Sequence, residues 1–205
     1  MKYLKSFETF TNKVIIGIDI DGTINNMVVA YNTLYKNYFP GKEVFFADKW
    51  DWYKKMDYDG ADPLEWFNSH KAEVFETCQP YQGAVITINN IYDFIKSHGF
   101  TLNVVTNQPT PEAKEAAKAW LDKNGFKYDD IIFAEPSGAK WKYVDIMVDD
   151  SDKVIGAKPL GKVAIKIIQP WNSETEGDFN IPNIKALTID LLKQAIDKLK
   201  NKTTA

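Results

Sequence analysis

The segment from residue 14 to residue 23 reads VIIGIDIDGT, an apolar run that ends in two aspartates, a glycine and a threonine. The run predicts a buried strand whose polar end emerges into a loop. Side chains alternate along an extended chain, so Asp19 and Asp21 are expected to project from the same side. Two such carboxylates repel each other unless a cation lies between them, and Mg²⁺ prefers oxygen ligands. An isolated Asp-Gly pair often marks a simple turn. Directly after an apolar run, it points instead to phosphate chemistry.

Strand-like and helix-like segments alternate along the 205 residues, which predicts an α/β fold with a Rossmann-like parallel sheet flanked by helices. The expected strands are short and rich in Val and Ile, as strands covered on both faces are. The expected helices have apolar residues near a 3.6-residue period, and Thr110 with Pro111 gives one of them a capped start. The predicted strands are residues 14–20, 101–106, 131–133, 146–148 and 163–168, and the predicted helices are residues 84–98, 111–124 and 184–200.

About eighty residues separate the first predicted strand from the second, which is too many for one crossover helix. Helices are predicted there at residues 27–39 and 63–75, the second with Asp62, Pro63 and Glu65 as a typical capped start. We therefore expect a small inserted helical cap. The predicted division is an N-terminal extension of residues 1–13, a catalytic core of residues 14–24 and 78–205, and a cap of residues 25–77.

The composition excludes several classes of partner. With 25 basic and 28 acidic residues, the chain has a net charge of −3 and lacks the basic field that a nucleic-acid polymer requires. The single cysteine, Cys78, excludes an internal disulfide and favours the reducing cytoplasm. No apolar run is long enough to span a membrane, and residues 1–13 lack a secretory signal. Leu4, Phe7 and Phe10 recur there at helical spacing, which fits either a short packed helix or a tail.

Polar residues follow several predicted strands, and ligands of open parallel sheets bind beyond the carboxyl ends of the strands. Taken alone, each of these residues has an ordinary explanation as a strand end, a helix cap or a solvated surface charge. Taken together, they bring acids, a hydroxyl and amines to one edge. The set consists of Asp19 and Asp21 after the first strand, Thr106 and Asn107 after the second, Asp149 and Asp150 after the fourth, and Lys140 and Lys142 just before the fourth.

Such a set can hydrolyse a phosphate ester. One carboxylate attacks phosphorus and forms an aspartyl-phosphate. A second carboxylate protonates the leaving oxygen and later deprotonates the hydrolytic water. Mg²⁺, an ammonium group and a hydroxyl offset the negative charge of the reacting groups.

The motifs DIDGT, VVTN, AK and VDD, in this order, resemble those of the haloacid dehalogenase (HAD) superfamily of phosphatases. The small cap after the first motif, the DIMVDD ending and the KIIQPWN segment resemble one branch, the 5'(3')-deoxyribonucleotidases. The resemblance extends over residues 14–172. It implies a HAD-like core, Mg²⁺ as the cofactor, and a nucleotide or another small phosphate monoester as the substrate.

Position by position, the resemblance implies a role for each residue. Asp19 is the expected nucleophile and a metal ligand. Asp21 is the expected general acid/base and binds the metal through its main-chain carbonyl. Thr106, with Asn107 beside it, is expected to hydrogen-bond the phosphoryl oxygens. Asp150 is an expected metal ligand, and Asp149 is expected to act on the metal directly or through water. Lys140 is expected to offset the phosphate charge, with Lys142 as the alternative lysine.

The aromatic residues of the cap have two explanations. Most Trp and Phe side chains in a small helical module form its core. The resembling family also stacks the nucleobase against its cap, and the candidates for this contact are Trp50, Trp52, Tyr53, Trp66 and Phe67. Outside the cap, Trp171 and Asn172 either close the site or form a turn.

The leading hypothesis is an Mg²⁺-dependent phosphomonoesterase that acts on (deoxy)nucleoside monophosphates through an aspartyl-phosphate. Two alternatives stay open. One is the same chemistry on a sugar phosphate or a 3'-phosphate end, and the other is a binding module that has the fold without turnover. Base, sugar and phosphate position also stay open, as does a homodimer in which a second copy completes the site.

Overall fold

A computed structural model describes residues 13–203 of the chain, so the N-terminal segment with Leu4, Phe7 and Phe10 lies outside the described residues. The strands are β1 (Ile15–Ile18), β2 (Thr101–Thr106), β3 (Asp130–Phe133), β4 (Ile146–Asp149), β5 (Val163–Ile167) and β6 (Phe179–Ile181). They form one sheet in the order β3-β2-β1-β4-β5-β6, in which every neighbouring pair is parallel. The predicted α/β fold with a parallel sheet is confirmed. Because β1 lies between β2 and β4, the residues after these three strands meet at one edge.

Helices flank the sheet and fill the long excursion after β1. They are α1 (Met27–Tyr38), α2 (Pro63–Ser69), α3 (Lys71–Thr77), α4 (Ala84–Ser97), α5 (Pro111–Asn124), α6 (Asp152–Gly156) and α7 (Ile189–Thr203). The predicted start of α5 is confirmed, since the Thr110 hydroxyl accepts a hydrogen bond from the Ala113 amide at 3.1 Å. The helix ends at Gly125, whose φ of 73° suits a residue without a side chain.

Two predictions about the elements were wrong, and one strand was not predicted. The expected single helix 63–75 is divided at His70, whose ring stacks on Trp66 with 4.1 Å between centroids. The expected helix 184–200 begins only at Ile189, because the Thr188 hydroxyl accepts a hydrogen bond from the Leu191 amide and caps the helix there. The residues before the cap include a short 3₁₀ turn, Ile184–Ala186. Strand β6 was not predicted, since three residues in a polar stretch show no period.

The sheet is covered by apolar residues on both faces. One face packs against α4, α5 and α7 through residues such as Ile91, Leu121 and Leu192. The other face is a smaller cluster that includes Val105, Met147 and Trp141. On this side a Cβ at Gly17 would lie 2.5 Å from a methyl group of Val144, so only glycine lets β1 approach so closely.

The excursion after β1 has an apolar cluster of its own, which we call the cap cluster. Its buried members are Met27, Ala30, Tyr31, Leu34, Tyr35, Ala47, Trp52, Tyr53, Met56, Tyr58, Trp66, Phe67, Val74 and Cys78. Helix α3 also reaches the core, since the Trp120 indole donates a 2.8 Å hydrogen bond to the Cys78 carbonyl. Among residues 13–203, no helix combines the length and the apolarity needed to cross a membrane.

Candidate active site

Three aspartates meet at the carboxyl edge of the sheet. Asp19 follows β1, Asp149 ends β4 and Asp150 comes next, so the parallel pairing of β1 with β4 brings them together. One carboxylate oxygen of each lies within 4.8 Å of one from each of the others. All three side chains are buried, and Asp149 and Asp150 have no exposed surface. Carboxylates so close and so poorly solvated are stable together only beside positive charge.

The positive charge in this group comes from Lys140, which lies on the 3₁₀ turn Ser137–Lys142 before β4. Its ammonium nitrogen is 2.9 Å from an oxygen of Asp19 and 2.8 Å from an oxygen of Asp149. The side chain of Lys140 is buried, whereas Lys142 is exposed. Of the two candidate lysines, therefore, the structure brings Lys140 to the carboxylates.

The pKa values show that one lysine does not balance three acids. Burial raises the pKa of Asp19 to about 7; the charge of Lys140 opposes this, and the charges of Asp149 and Asp21 add to it. Burial, followed by the charges of Asp149 and Asp19, raises the pKa of Asp150 well above its usual value. Burial lowers the pKa of Lys140, but the charges of Asp149 and Asp19 outweigh it and hold that pKa above its usual range. The group has an excess of negative charge.

Asp21 lies beside this group but its carboxylate is held elsewhere. Ile20 packs in the same core cluster as Ile16 and Ile18, so Asp19 and Asp21 alternate with core residues as expected, and their pairing around a cation stays a prediction. The Asp21 carboxylate lies 2.9 Å from the Lys71 ammonium nitrogen. It also accepts hydrogen bonds from the amides of Gln108, at 2.9 Å, and Asn25, at 3.1 Å.

These contacts set the charge of Asp21. Burial raises its pKa, but the nearby charge of Lys71 and the hydrogen bonds from Lys71, Gln108 and Asn25 outweigh burial and leave the pKa below the usual value. The sequence analysis missed all three partners. Gln108 could have been found two residues after Thr106 at the same strand end. Lys71 could not, because nothing in its local sequence relates it to Asp21.

Thr106, the last residue of β2, and Asn107, the next residue, occupy different places. The buried Thr106 hydroxyl accepts a 3.2 Å hydrogen bond from Gln108, which also holds Asp21. The Asn107 amide donates at 3.0 Å to the Ser137 hydroxyl, at the start of the turn that carries Lys140. Thr106 therefore lies in the site, while Asn107 connects the end of β2 to the lysine turn.

Asp150 is held by residues on both sides. The Thr23 hydroxyl donates to one of its oxygens at 3.2 Å, and the Trp171 indole donates to the other at 2.7 Å. The Asn172 amide donates to its main-chain carbonyl at 2.6 Å. A Cβ at Gly22, where φ is 74°, would lie 2.3 Å from Asp150, so this position needs glycine. Trp171 and Asn172 thus close one side of the site.

The five candidate aromatic residues of the cap fall into three groups. Trp52 and Trp66 lie inside the cap cluster, where Tyr31 meets each ring edge-on, so neither has a free face for a base and their predicted stacking role is corrected. Phe67 lies under Lys71, whose ammonium nitrogen is 4.9 Å from the ring centre, and Tyr53 stacks on Phe67. Trp50 is partly exposed, with its ring 6.5 Å from that of Trp171.

A protein-family profile described as "5' nucleotidase, deoxy (Pyrimidine), cytosolic type C protein" matches residues 12–189. The chain belongs to this family. The resemblance to the 5'(3')-deoxyribonucleotidases is confirmed, and the chain is a phosphatase with the fold of HAD-superfamily hydrolases. No curated protein matches the sequence.

Solved structures share the fold of this nucleotidase-family chain at low sequence identity. A HAD-hydrolase from Bacillus subtilis bound to magnesium is 17% identical with a TM-score of 0.57, over 86% of this chain and 97% of that one. L-2-haloacid dehalogenase from Xanthobacter autotrophicus is 10% identical with a TM-score of 0.58, over 91% and 99%. A HAD-superfamily hydrolase from Geobacter sulfurreducens is 14% identical with a TM-score of 0.54, over 88% and 100%.

The residues of the site fit a divalent cation of the kind that HAD hydrolases use. The three carboxylates supply hard oxygen donors, which suit Mg²⁺. The buried Asp19 oxygen nearest Lys140 has the ammonium nitrogen, 2.9 Å away, as its charged partner. A bound cation would reverse the rise in the pKa values of Asp19 and Asp150, because it supplies the missing positive charge.

Proposed function

We propose that the chain is an Mg²⁺-dependent phosphomonoesterase that hydrolyses (deoxy)nucleoside monophosphates to nucleoside and phosphate. The observation that carries the proposal is the group of three buried carboxylates around Lys140, in a chain of a 5'-nucleotidase family. The family description, with its words deoxy, pyrimidine and cytosolic, supports a pyrimidine deoxynucleotide substrate and a cytoplasmic setting.

Asp19, Asp149 and Asp150 would hold Mg²⁺, together with the main-chain carbonyl of Asp21. When bound, the ion offsets the negative charge of the carboxylates and of the phosphoryl oxygens. Lys140 and the Thr106 hydroxyl then bind phosphoryl oxygens from the protein side. The role of Lys140 in binding the phosphoryl oxygens explains why it is buried beside the attacking Asp19 carboxylate instead of lying on the surface.

The reaction has two steps. An oxygen of Asp19 attacks phosphorus, and the ester P–O bond breaks with its electron pair staying on the nucleoside oxygen. That oxygen takes a proton from Asp21, so the nucleoside leaves as an alcohol. Lys71, Gln108 and Asn25 lower the pKa of Asp21 in the free protein, but the negative charge of a bound phosphoryl group favours the protonated acid. Asp21 then removes a proton from the water that attacks the aspartyl-phosphate, which releases phosphate and regenerates Asp19.

The nucleoside has to lie on the Asp21 side of the phosphate, because Asp21 protonates its oxygen. Phe67 lies under the lysine that contacts Asp21, but its ring is buried in the cap cluster against Tyr31 and Tyr53. Tyr53 supports Phe67 from behind. Trp50 and Trp171 form a second aromatic pair beside Asp150. We propose Trp50, the most exposed of the five candidate aromatic residues, as the surface that contacts the nucleoside.

The proposal is tested by measuring phosphate release from a panel of deoxy- and ribonucleoside 5'- and 3'-monophosphates. Each is assayed with Mg²⁺ and with a chelator, and p-nitrophenyl phosphate and a sugar phosphate are included. We expect Mg²⁺-dependent release that is fastest from pyrimidine deoxynucleotides. Release from the sugar phosphate but from no nucleotide would contradict the substrate. No release from any ester, including the aryl phosphate, would contradict the enzyme.

A further inference from the structure

The loop between β5 and β6 closes over one aspartate of the site. Its Trp171 indole donates to a carboxylate oxygen of Asp150, and the side-chain amide of its Asn172 donates to the Asp150 main-chain carbonyl. The same amide donates at 2.7 Å to the carbonyl of Ile167, the last residue of β5. Both contacts with Asp150 therefore depend on where this loop lies.

A buried lysine of the sheet holds this loop. Lys166 lies on β5, in register with Asp149 of the neighbouring strand, and only 4% of its side chain is exposed. Its ammonium nitrogen donates to the main-chain carbonyls of Asn172 and Thr175 and lies 3.4 Å from the Asp152 carboxylate. These three oxygens match the three N–H donors of an ammonium group. Because two of them are main-chain carbonyls of the loop, the lysine fixes the path of the loop.

Asp152 holds the same loop from the first residue of α6. Its carboxylate accepts hydrogen bonds from the main-chain amides of Glu174 and Thr175, each at 3.2 Å. The loop thus presents carbonyls to a cation and amides to an anion, and the two charged groups lie side by side. Asp152 comes two residues after Asp150, so these contacts attach the loop to the segment that carries Asp150.

We propose that Lys166 is a positioning residue that fixes the loop after β5, so that Trp171 and Asn172 hold Asp150 in place to bind Mg²⁺. The inference rests on the proposed function, in which Asp150 is a metal ligand. Groups that hydrogen-bond a metal ligand orient it, and their loss usually weakens metal binding by roughly 10- to 100-fold. Lys166 acts one contact further away, so its effect belongs at the lower end of this range.

The charge of Lys166 gives the proposal a sign that a purely electrostatic role does not share. A cation near the carboxylates repels Mg²⁺, so its removal alone would tighten Mg²⁺ binding. Loss of the loop position weakens Mg²⁺ binding instead. The direction of the change in Kd therefore separates the two roles.

The test titrates Mg²⁺ into each variant without substrate and follows the thermal midpoint, which gives the Kd for Mg²⁺. We expect Lys166→Met to raise this Kd about 10-fold. Trp171→Phe removes the indole donor to Asp150 and should raise the Kd by a similar factor. The double variant should raise it by less than the product of the two factors, because both changes disturb the same contact.

The matched control is Lys202→Met, in α7 at the opposite edge of the sheet. Lys202 has the same kinds of acceptor as Lys166, namely a main-chain carbonyl, that of Lys162, and a carboxylate, that of Asp178. The control should lower the thermal midpoint measured without Mg²⁺ but leave the Kd for Mg²⁺ within about 2-fold of the wild type, because the two sites are independent.

An unchanged or lower Kd in Lys166→Met, or an equal rise in Lys202→Met, would overturn the role of Lys166. Lys166→Gln replaces Lys166→Met if the latter does not fold. A wild type whose midpoint does not respond to Mg²⁺ would overturn this role together with the metal site. A wild type that binds Mg²⁺ but releases no phosphate from nucleotides would refute the substrate alone, because the titration contains no nucleotide.

Discussion

A group of three buried aspartates and one partly buried aspartate, Asp178, lie at opposite edges of the sheet and differ in their balance of charge. At the carboxyl edge, Asp19, Asp149 and Asp150 share one lysine, Lys140. At the amino edge, Asp178 alone is contacted by Lys158 at 2.5 Å, Lys198 at 2.9 Å and Lys202 at 3.0 Å, and its carboxylate accepts from the Ala164 amide at the start of β5.

The pKa values follow this difference. Burial raises the pKa of Asp178, but the hydrogen bonds from Lys158, the Ala164 amide, Lys198 and Lys202 outweigh burial and hold the pKa far below the usual value. Burial and like charges raise the pKa of Asp19 to about 7 instead. Asp178, which has surplus cations around it, stabilises the fold. Asp19, Asp149 and Asp150 have too few cations around them. We infer that a metal ion supplies the missing positive charge and that the site binds a phosphate group.

The largest expected effect is the loss of turnover at the carboxyl edge. Asp19→Asn should lower kcat by a factor on the order of 10⁴ or more, because the amide cannot attack phosphorus. The matched control is Asp178→Asn, the same substitution at the amino edge, which should leave kcat within about 2-fold of wild type. Equal losses in the two variants would break the comparison, since the two edges would then not differ in function.

The next effect is on metal binding. A ligand that binds only the native state raises its stability by RT ln(1 + [L]/Kd), which is about 2.7 kcal/mol at one hundred times Kd. Mg²⁺ should therefore raise the thermal midpoint of the wild type, and this rise should be mostly lost in Asp150→Asn. Scanning calorimetry with Mg²⁺ and with chelator measures both. An undiminished rise in Asp150→Asn would place the ion elsewhere.

The smallest effect concerns stability at the amino edge. Asp178→Asn should lower the free energy of unfolding by about 0.5–1.5 kcal/mol, because three partly exposed lysines lose their charged acceptor. A lowered pKa gives stability that is complete above the unfolded value near 3.8 and is lost as the pH falls through the native value. The difference in free energy of unfolding between the wild type and Asp178→Asn should thus be constant above about pH 5 and shrink below pH 3.8, as urea titrations would show. A difference that grows in acid would contradict the predicted pH dependence.

The sequence predicted the parts of this comparison that depend on local pattern. Strand β2 and helix α5 have the predicted bounds, since their apolar periods and caps lie within a few residues. The acids after β1 and β4 were found because parallel strands end at one edge. Lys71 was missed because its contact with Asp21 spans the whole excursion after β1. The buried Trp52 and Trp66 could not be told from surface aromatics, because the short cap segments have no clear period.

The division into cap and core remains a prediction, and so does any homodimer. The cap cluster supports the division, since its buried members lie between residues 27 and 78. Helix α3 contributes to both the cap cluster and the main core, because Val74 and Phe75 face different sides. The boundary near residue 77 therefore lies in a helix that both parts share.

The central claim is that the surplus of negative charge at the carboxyl edge serves a nucleophile, Asp19. The most direct measurement is a single-turnover reaction with Mg²⁺ and a hydrolysed ester, quenched in acid, digested and mapped by mass spectrometry. The account predicts a phosphorylated peptide that contains Asp19 and that forms and decays before free phosphate reaches its plateau. Release of phosphate with no phosphorylated peptide, or with the phosphate on another residue, would contradict it.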